Sequence, residues 1–184
     1  ETCCVSAVET FLEPDMPVSN DNKTTRRAVV VGGNRTPFVK AFAEYLELDT
    51  IALGVEAVRG LLARTDLDTT ELDGIIWGGV LLPSLAPNVA REIVLDLDLP
   101  ASVEANTVTR ACASGLQAIT DAVAKIERGE ADVIIAGGSD STSNATLAMP
   151  EEFVRSVAPF AMGRTSGAAG FFGMMGAFMP PTKA

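Results

Sequence analysis

Between residues 27 and 143, short apolar runs alternate with stretches of helical period. Ala28–Val31 is a β-branched run followed by Gly32-Gly33, the pattern of a buried strand. Asn34–Phe38 follows as a loop fixed by Pro37. Asp49 can cap a helix over Thr50–Arg64, in which Ile51, Val55, Val58 and Leu62 recur at helical spacing. Asp68 with Glu71 resembles a capping box on a short turn. Ile75–Trp77, followed by Gly78-Gly79, predicts a second buried strand. Pro87 suits the first turn of a helix running to about Asp96, with Val89, Ile93 and Leu97 on one side and Pro100 as the stop. Val103–Val108 predicts a third strand. A helix from about Cys112 to Arg128 follows, with Leu116, Ile119, Val123 and Ile126 facing inward and Gly129 ending it. Val133–Ala136 is the fourth strand, again followed by a glycine pair, Gly137-Gly138.

The series β-α-β-α-β-α-β at this spacing predicts an α/β domain with a mostly parallel sheet and helices on both faces. Ligands in such sheets bind outside the carboxyl ends of the strands. Residues 1–26 show no clear period and read as a flexible N-terminal tail, 27–143 as the domain, and 144–184 as a segment with no visible strand-helix unit. The chain begins at Glu1 rather than Met, so a processed or partial chain is expected.

Composition narrows the chemistry. With 184 residues, 47% of them apolar, the chain can bury a sizeable core. A net charge of −10 argues against nucleic acid as a partner. There is no His, which removes from this chain every mechanism that needs one: the Ser-His-Asp triad, the Cys-His pair and the usual His-rich zinc site. Three Cys do not make a disulfide framework, so a reducing, cytoplasmic compartment is expected. Residues 1–24 do not read as a secretory signal, and no run of 18 uncharged apolar residues is present. Ala168–Met179 is apolar and rich in Gly, Met and Phe, but short.

Cys112 is the main candidate for chemistry, in Thr109-Arg110-Ala111-Cys112-Ala113-Ser114-Gly115. It falls at a strand-to-helix junction, where free first-turn amides and the helix dipole favour a thiolate. Small neighbours leave room for a carbonyl, and nearby amides can donate to an oxyanion. A small buried Cys packing a helix start accounts for the same position. Arg35 and Arg110 can meet phosphates or serve as surface charges. Gly137-Gly138-Ser139-Asp140 is a tight turn that can shape a site floor, but it lacks the Lys and spacing of a phosphate loop, and Gly32-Gly33 is no dinucleotide fingerprint. Asp66, Asp68, Glu71 and Asp73 read as a solvated acidic surface, not a metal site. Cys3 and Cys4 read as bystanders.

Four segments carry a family resemblance. Thr109–Ile119 (TRACASGLQAI) resembles the nucleophile segment of the thiolases. Val31–Phe38 (VGGNRTPF), Asp73–Gly79 (DGIIWGG) and Ala131–Ser143 (ADVIIAGGSDSTS) are similar to their opening strand and loop, their second strand, and the strand and turn before their loop domain. A looser similarity over Met149–Pro181 points to the branch related to the β-subunit of the trifunctional fatty-acid oxidation complex. The resemblance implies one half of a duplicated fold, with 144–184 as a truncated loop-domain segment. It implies acyl-thioester formation on Cys112 from 3-ketoacyl-CoA, in thiolytic cleavage or the reverse condensation. Acyl-CoA and CoA are the implied substrates, with no bound cofactor and no metal. It also implies a homodimer or homotetramer. Phe171–Met179, by its own composition, reads as loop packing or as a peripheral membrane or complex-partner contact. In thiolases a second half supplies a His and a second Cys; neither can be assigned here, so this chain alone is expected to be inactive or weakly acylated. A helix terminus alone contributes only ~1–2 kcal/mol. Half of a duplicated fold leaves a helix layer uncovered, so self-association is expected. Two other readings fit the same residues: a ketoacyl-synthase-type condensing enzyme, and a non-catalytic dimerisation or interaction fragment. Arg35-Thr36-Pro37-Phe38 and the Gly-Leu-Gln after Cys112 favour the first reading, a thiolase.

Overall fold

The computed structural model describes residues 5–11, 26–145 and 150–161. The chain divides into two compact units, Glu1–Thr146 and Leu147–Ala184, against an expected boundary after Ser143. The first unit holds a five-stranded sheet. Its strands are β1 (Val5–Phe11), β2 (Arg27–Asn34), β3 (Gly74–Gly78), β4 (Glu104–Val108) and β5 (Val133–Gly138), in the order β2-β1-β5-β3-β4. β3 pairs parallel with β4 and β5, and β1 pairs antiparallel with β2 and β5. Four strands therefore run one way and β1 alone the other, so the sheet is mostly parallel as the spacing predicts.

Within residues 5–11 the expected flexible tail is corrected: Val5–Phe11 is an inner strand, paired on both sides. Its seven residues show no long alternation, and Pro14-Asp15 is the nearest turn signal. Their order comes from two neighbouring strand edges whose amides and carbonyls need partners. Opposite Ala7 and Val8 the register shifts, because Val31 of β2 bulges out of the ladder.

The middle of the sheet is buried on both faces, which is why these strands read as unbroken apolar runs. Ile75, Trp77 and Ile135 point to one side, into a core shared with helices α1 (Thr50–Thr65) and α2 (Val89–Asp96). Ile76, Ile134 and Ala136 point to the other, against α3 (Ser114–Glu127). The chain goes outward from β3 to β4 through α2. It returns past β3 to β5 through α3. Right-handed crossovers in opposite directions along a sheet place their helices on opposite faces.

Capping sets the helix ends. Asp49 accepts the Ala52 amide at 2.8 Å, as expected of an N-cap. α2 begins at Val89 with Asn88 as its cap, so Pro87 lies just before the helix rather than in its first turn. Asn88 also accepts from Thr107 and donates to the Ala105 carbonyl, both on β4, which ties the helix start to that strand. Gly129 follows α3 with φ +74, the left-handed position that glycine takes without steric cost. Asp68 caps a short 3-10 turn, accepting the Thr70 amide and hydroxyl, and these bonds hold its carboxyl below the usual carboxylate range.

The inward faces of two helices differ from expectation. In α1, Val55 and Val58 are buried as expected, but Leu53, Gly54, Ala57 and Leu61 join them while Ile51 and Leu62 are half-buried. α1 packs against both the sheet and α2, which turns its buried stripe. In α3 the buried residues are Ser114, Ala118, Ala122 and Ile126, whereas Leu116, expected inside, is 67% exposed. Small residues win the inner face because they let the helix approach the sheet closely.

The second unit contains α4 (Glu151–Ala161), a helix the sequence pattern misses. Pro150 at its entry, Glu151 and Glu152 in its first turn, and a Glu151–Arg155 ion pair one turn apart were the available signals. Pro159 inside it obscured them. Among the described residues no helix is long and apolar enough to cross a membrane. Cys3, Cys4, the Ala168–Met179 stretch and most of the weakly similar Met149–Pro181 segment lie outside the described residues.

Candidate functional site

The glycine pairs have a different use from the one the sequence suggests. Gly32-Gly33 lie inside β2, whereas Gly78 and Gly137-Gly138 are the last residues of β3 and β5. Gly78 of β3 and Gly138 of β5 are direct cross-strand partners. A Cβ on Gly138 would sit 2.5 Å from the Gly78 carbonyl oxygen. A Cβ on Gly78 would sit 2.4 Å from the Ser114 carbonyl carbon and 2.7 Å from the Gly115 nitrogen. The missing side chains let the first turn of α3 settle directly on the sheet.

That contact places Cys112 over the carboxyl ends of β3, β4 and β5. The structure corrects the expected helix start: α3 begins at Ser114, and Cys112 sits two residues earlier in a tight turn. Ala111 has φ 47, a left-handed conformation uncommon for a residue with a Cβ. Ser114 closes the turn. Its hydroxyl donates to the Ala111 carbonyl at 2.7 Å and accepts the Arg110 amide at 2.8 Å. The Ala113 and Ser114 amides donate back to the Arg110 and Ala111 carbonyls. The strained turn is thus held from both sides, and Cys112 stands on it as an exposed, free thiol.

Cys112 lines a cavity of about 520 Å³. Phe38, Val80 and Leu81 form an apolar wall, while Ser139, Asp140 and Thr142 after β5 form a polar one. The segment after β5 is an anchor for the loops around it. Trp77 Nε1 donates to Ser139 Oγ at 2.8 Å, and that hydroxyl donates to the Thr50 carbonyl at 2.7 Å. Ser143 accepts the Phe42 amide, and Asn144 donates to the Leu46 and Leu48 carbonyls. Ser139 and Asp140, in the sequence a tight turn that can shape a site floor, line the cavity. Sequence reasoning misses Ser114, Val80 and Leu81, and only Ser114, two residues after a Cys at a strand-helix junction, carries a local signal.

The remaining candidates are placed as follows. Arg35 stacks over the Phe38 ring at 3.9 Å and donates to the Thr36 carbonyl. Arg110 donates to Gln117, which donates to Asp121 along the exposed side of α3. Asp73 accepts the Asp132 and Val133 amides, holding the start of β5. Among the described residues no three acidic or Cys side chains converge as a metal site would require.

Gly78→Ala is expected to force α3 off the sheet, since the clashing atoms are backbone. Overpacking of this kind costs about 1–3 kcal/mol. The check is a lower urea midpoint together with a changed rate of Cys112 alkylation.

Residues 28–168 match the family described as "Thiolase, N-terminal domain". The chain is 36% identical over 141 residues to a 3-ketoacyl-CoA thiolase of Aeromonas salmonicida, covering 77% of this chain and 32% of that protein. It is 34% identical over 146 residues to a 3-ketoacyl-CoA thiolase of Shewanella pealeana, covering 79% and 34%. The chain thus spans about a third of the length of these relatives. Among solved structures it is similar to a thiolase from Ascaris suum in complex with coenzyme A, with TM-score 0.61, 29% identity, and coverage of 64% of this chain and 31% of that one. It is also similar to the acetyl-CoA acetyltransferase of Bacillus anthracis, with TM-score 0.56 and 28% identity over 59% of this chain and 27% of that one.

Proposed function

Because the chain belongs to the thiolase family, through that family's N-terminal domain, we propose that Cys112 is the nucleophile of acyl transfer between thioesters of coenzyme A. The observation that carries this reading is an exposed thiol on a braced turn, at the mouth of a cavity with one apolar wall. The names of the relatives, 3-ketoacyl-CoA thiolases, support the substrate class.

The chemistry suits a thiolate, which is both a good nucleophile and a good leaving group. Cys112 Sγ attacks the 3-keto carbon of a 3-ketoacyl-CoA. The carbon–carbon bond to the α-carbon breaks, and that carbon takes a proton to leave as acetyl-CoA. Free CoA then attacks the acyl-thioester, its sulfur taking the acyl group and Cys112 recovering as the thiol. The synthetic direction runs the same steps backward. Acyl chains lie against Phe38, Val80 and Leu81 in this reading. No His stands on this chain. A positioned general base, worth about 10²–10⁴-fold in rate, therefore comes from other residues, and acylation by this chain alone is slow. Exposed Val30, Val31 and Leu116 support assembly into a homodimer or homotetramer.

The test is to incubate the chain with acetyl-CoA or acetoacetyl-CoA and search its peptides for an acetyl adduct. The adduct is expected on Cys112. Because acylation by this chain alone is slow, the incubation is prolonged at a large excess of thioester; no adduct then, while iodoacetamide labels the same residue, overturns the reading in favour of a non-catalytic module.

A further inference from the structure

The apolar wall of the cavity belongs to no helix or strand. Val80 and Leu81 follow β3 in an irregular stretch, and both are exposed. Left to itself such a loop moves, and its side chains define no fixed width. One side chain grips it. Both the Val80 and the Leu81 amides donate to a single carboxylate oxygen, Oδ1 of Asp140, at 2.9 and 2.6 Å. Bonds to an ionised acceptor are roughly twice as strong as neutral ones.

The gripping residue is itself held firmly. On its N-terminal side, Ser139 is buried and bonded to Trp77 and Thr50. On its C-terminal side, the Ser141 amide donates to Thr50 Oγ1 and the Ser141 hydroxyl to the Leu48 carbonyl. The Thr50 hydroxyl reaches the Leu81 carbonyl at 3.4 Å, a second and longer tie on the same loop. A stiff anchor thus meets this wall through the Asp140 carboxylate and, over a longer distance, the Thr50 hydroxyl, beside the cavity that Cys112 lines.

We propose that Asp140 is a positioning residue whose grip on the Val80–Leu81 wall sets the bulk of the group that can reach Cys112. Resting on the acyl-transfer reading, this makes Asp140 a determinant of acyl-group selectivity. It acts through the wall and not on the reacting carbonyl.

The experiment uses the full chain and reagents that need no thioester. Cys112 alkylation by N-methylmaleimide and by N-cyclohexylmaleimide is followed on the Cys112 peptide by mass spectrometry. In Asp140→Ala the ratio of bulky to small rates is expected to rise by about threefold or more. Asp140→Asn, which retains one acceptor oxygen, is expected to fall between Ala and the parent. General loosening of the site moves both rates together and leaves their ratio alone, and that outcome overturns the proposal. So does a ratio equal to the parent's in both variants. If Asp140→Ala loses its helical circular dichroism, Asp140→Asn decides alone. An absent acetyl adduct would sink the acyl-transfer reading, whereas an unchanged maleimide ratio sinks only this inference.

Discussion

Cys112→Ser is expected to reduce the acetyl adduct to background while leaving the unfolding midpoint close to the parent's. A hydroxyl is a far weaker nucleophile than a thiolate unless a base removes its proton. The chain has no His to act as that base, so nothing on it rescues the hydroxyl. Cys112 is exposed and outside the two packed cores, so the smaller oxygen opens no cavity. The Ser114 bonds that brace the turn involve backbone groups of Arg110 and Ala111 and do not depend on the side chain at 112. The measurement is peptide mass spectrometry of the acetyl-CoA reaction beside urea unfolding of both proteins. An adduct of parental size, now elsewhere, would show that another residue takes the acyl group.

Trp77→Ala should have the largest effect on stability, about 3–5 kcal/mol. Trp77 is fully buried in the core formed by β3, α1 and α2. Its ring lies near Gly54, where a Cβ would come within 3.2 Å of it, so on that side there is no side chain to move into the gap. Its indole N–H also donates to Ser139, the start of the anchor around the site. Domains of this size carry about 5–15 kcal/mol of net stability, so the Ala variant sits near the edge of folding. Trp77→Phe keeps most of the ring and loses the donor, and its cost should be nearer 1–3 kcal/mol. Circular dichroism is the readout, because the chain's single Trp is the one removed.

Both effects trace to the contrast between what periodicity shows and what packing decides. The four parallel strands and three crossover helices were legible because each element is a local pattern. Ile75–Trp77 and Val133–Ala136 read as buried strands, and Asp49 as a cap, from a few neighbouring residues. Leu116 was misplaced because the periodicity favoured the larger apolar residue, whereas the close approach of α3 to Gly78 demands Ala118 and Ala122 on the inner face. The glycine pairs look like plain strand ends for the same reason. A glycine that ends a strand and one that makes room for a helix look alike until the helix is in place.

Sequence alone settled the family, the mostly parallel α/β plan, and Cys112 as the residue to test, because these rest on motifs and on short-range order. Tertiary structure alone decided the inner position of Val5–Phe11, the turn held by Ser114, and the grip of Asp140 on the Val80–Leu81 wall. Each of these joins segments far apart in the chain or depends on a backbone conformation, φ 47 at Ala111, that packing imposes. No local pattern of residue types carries that information, since the pairing energy exists only once the sheet has brought the segments together.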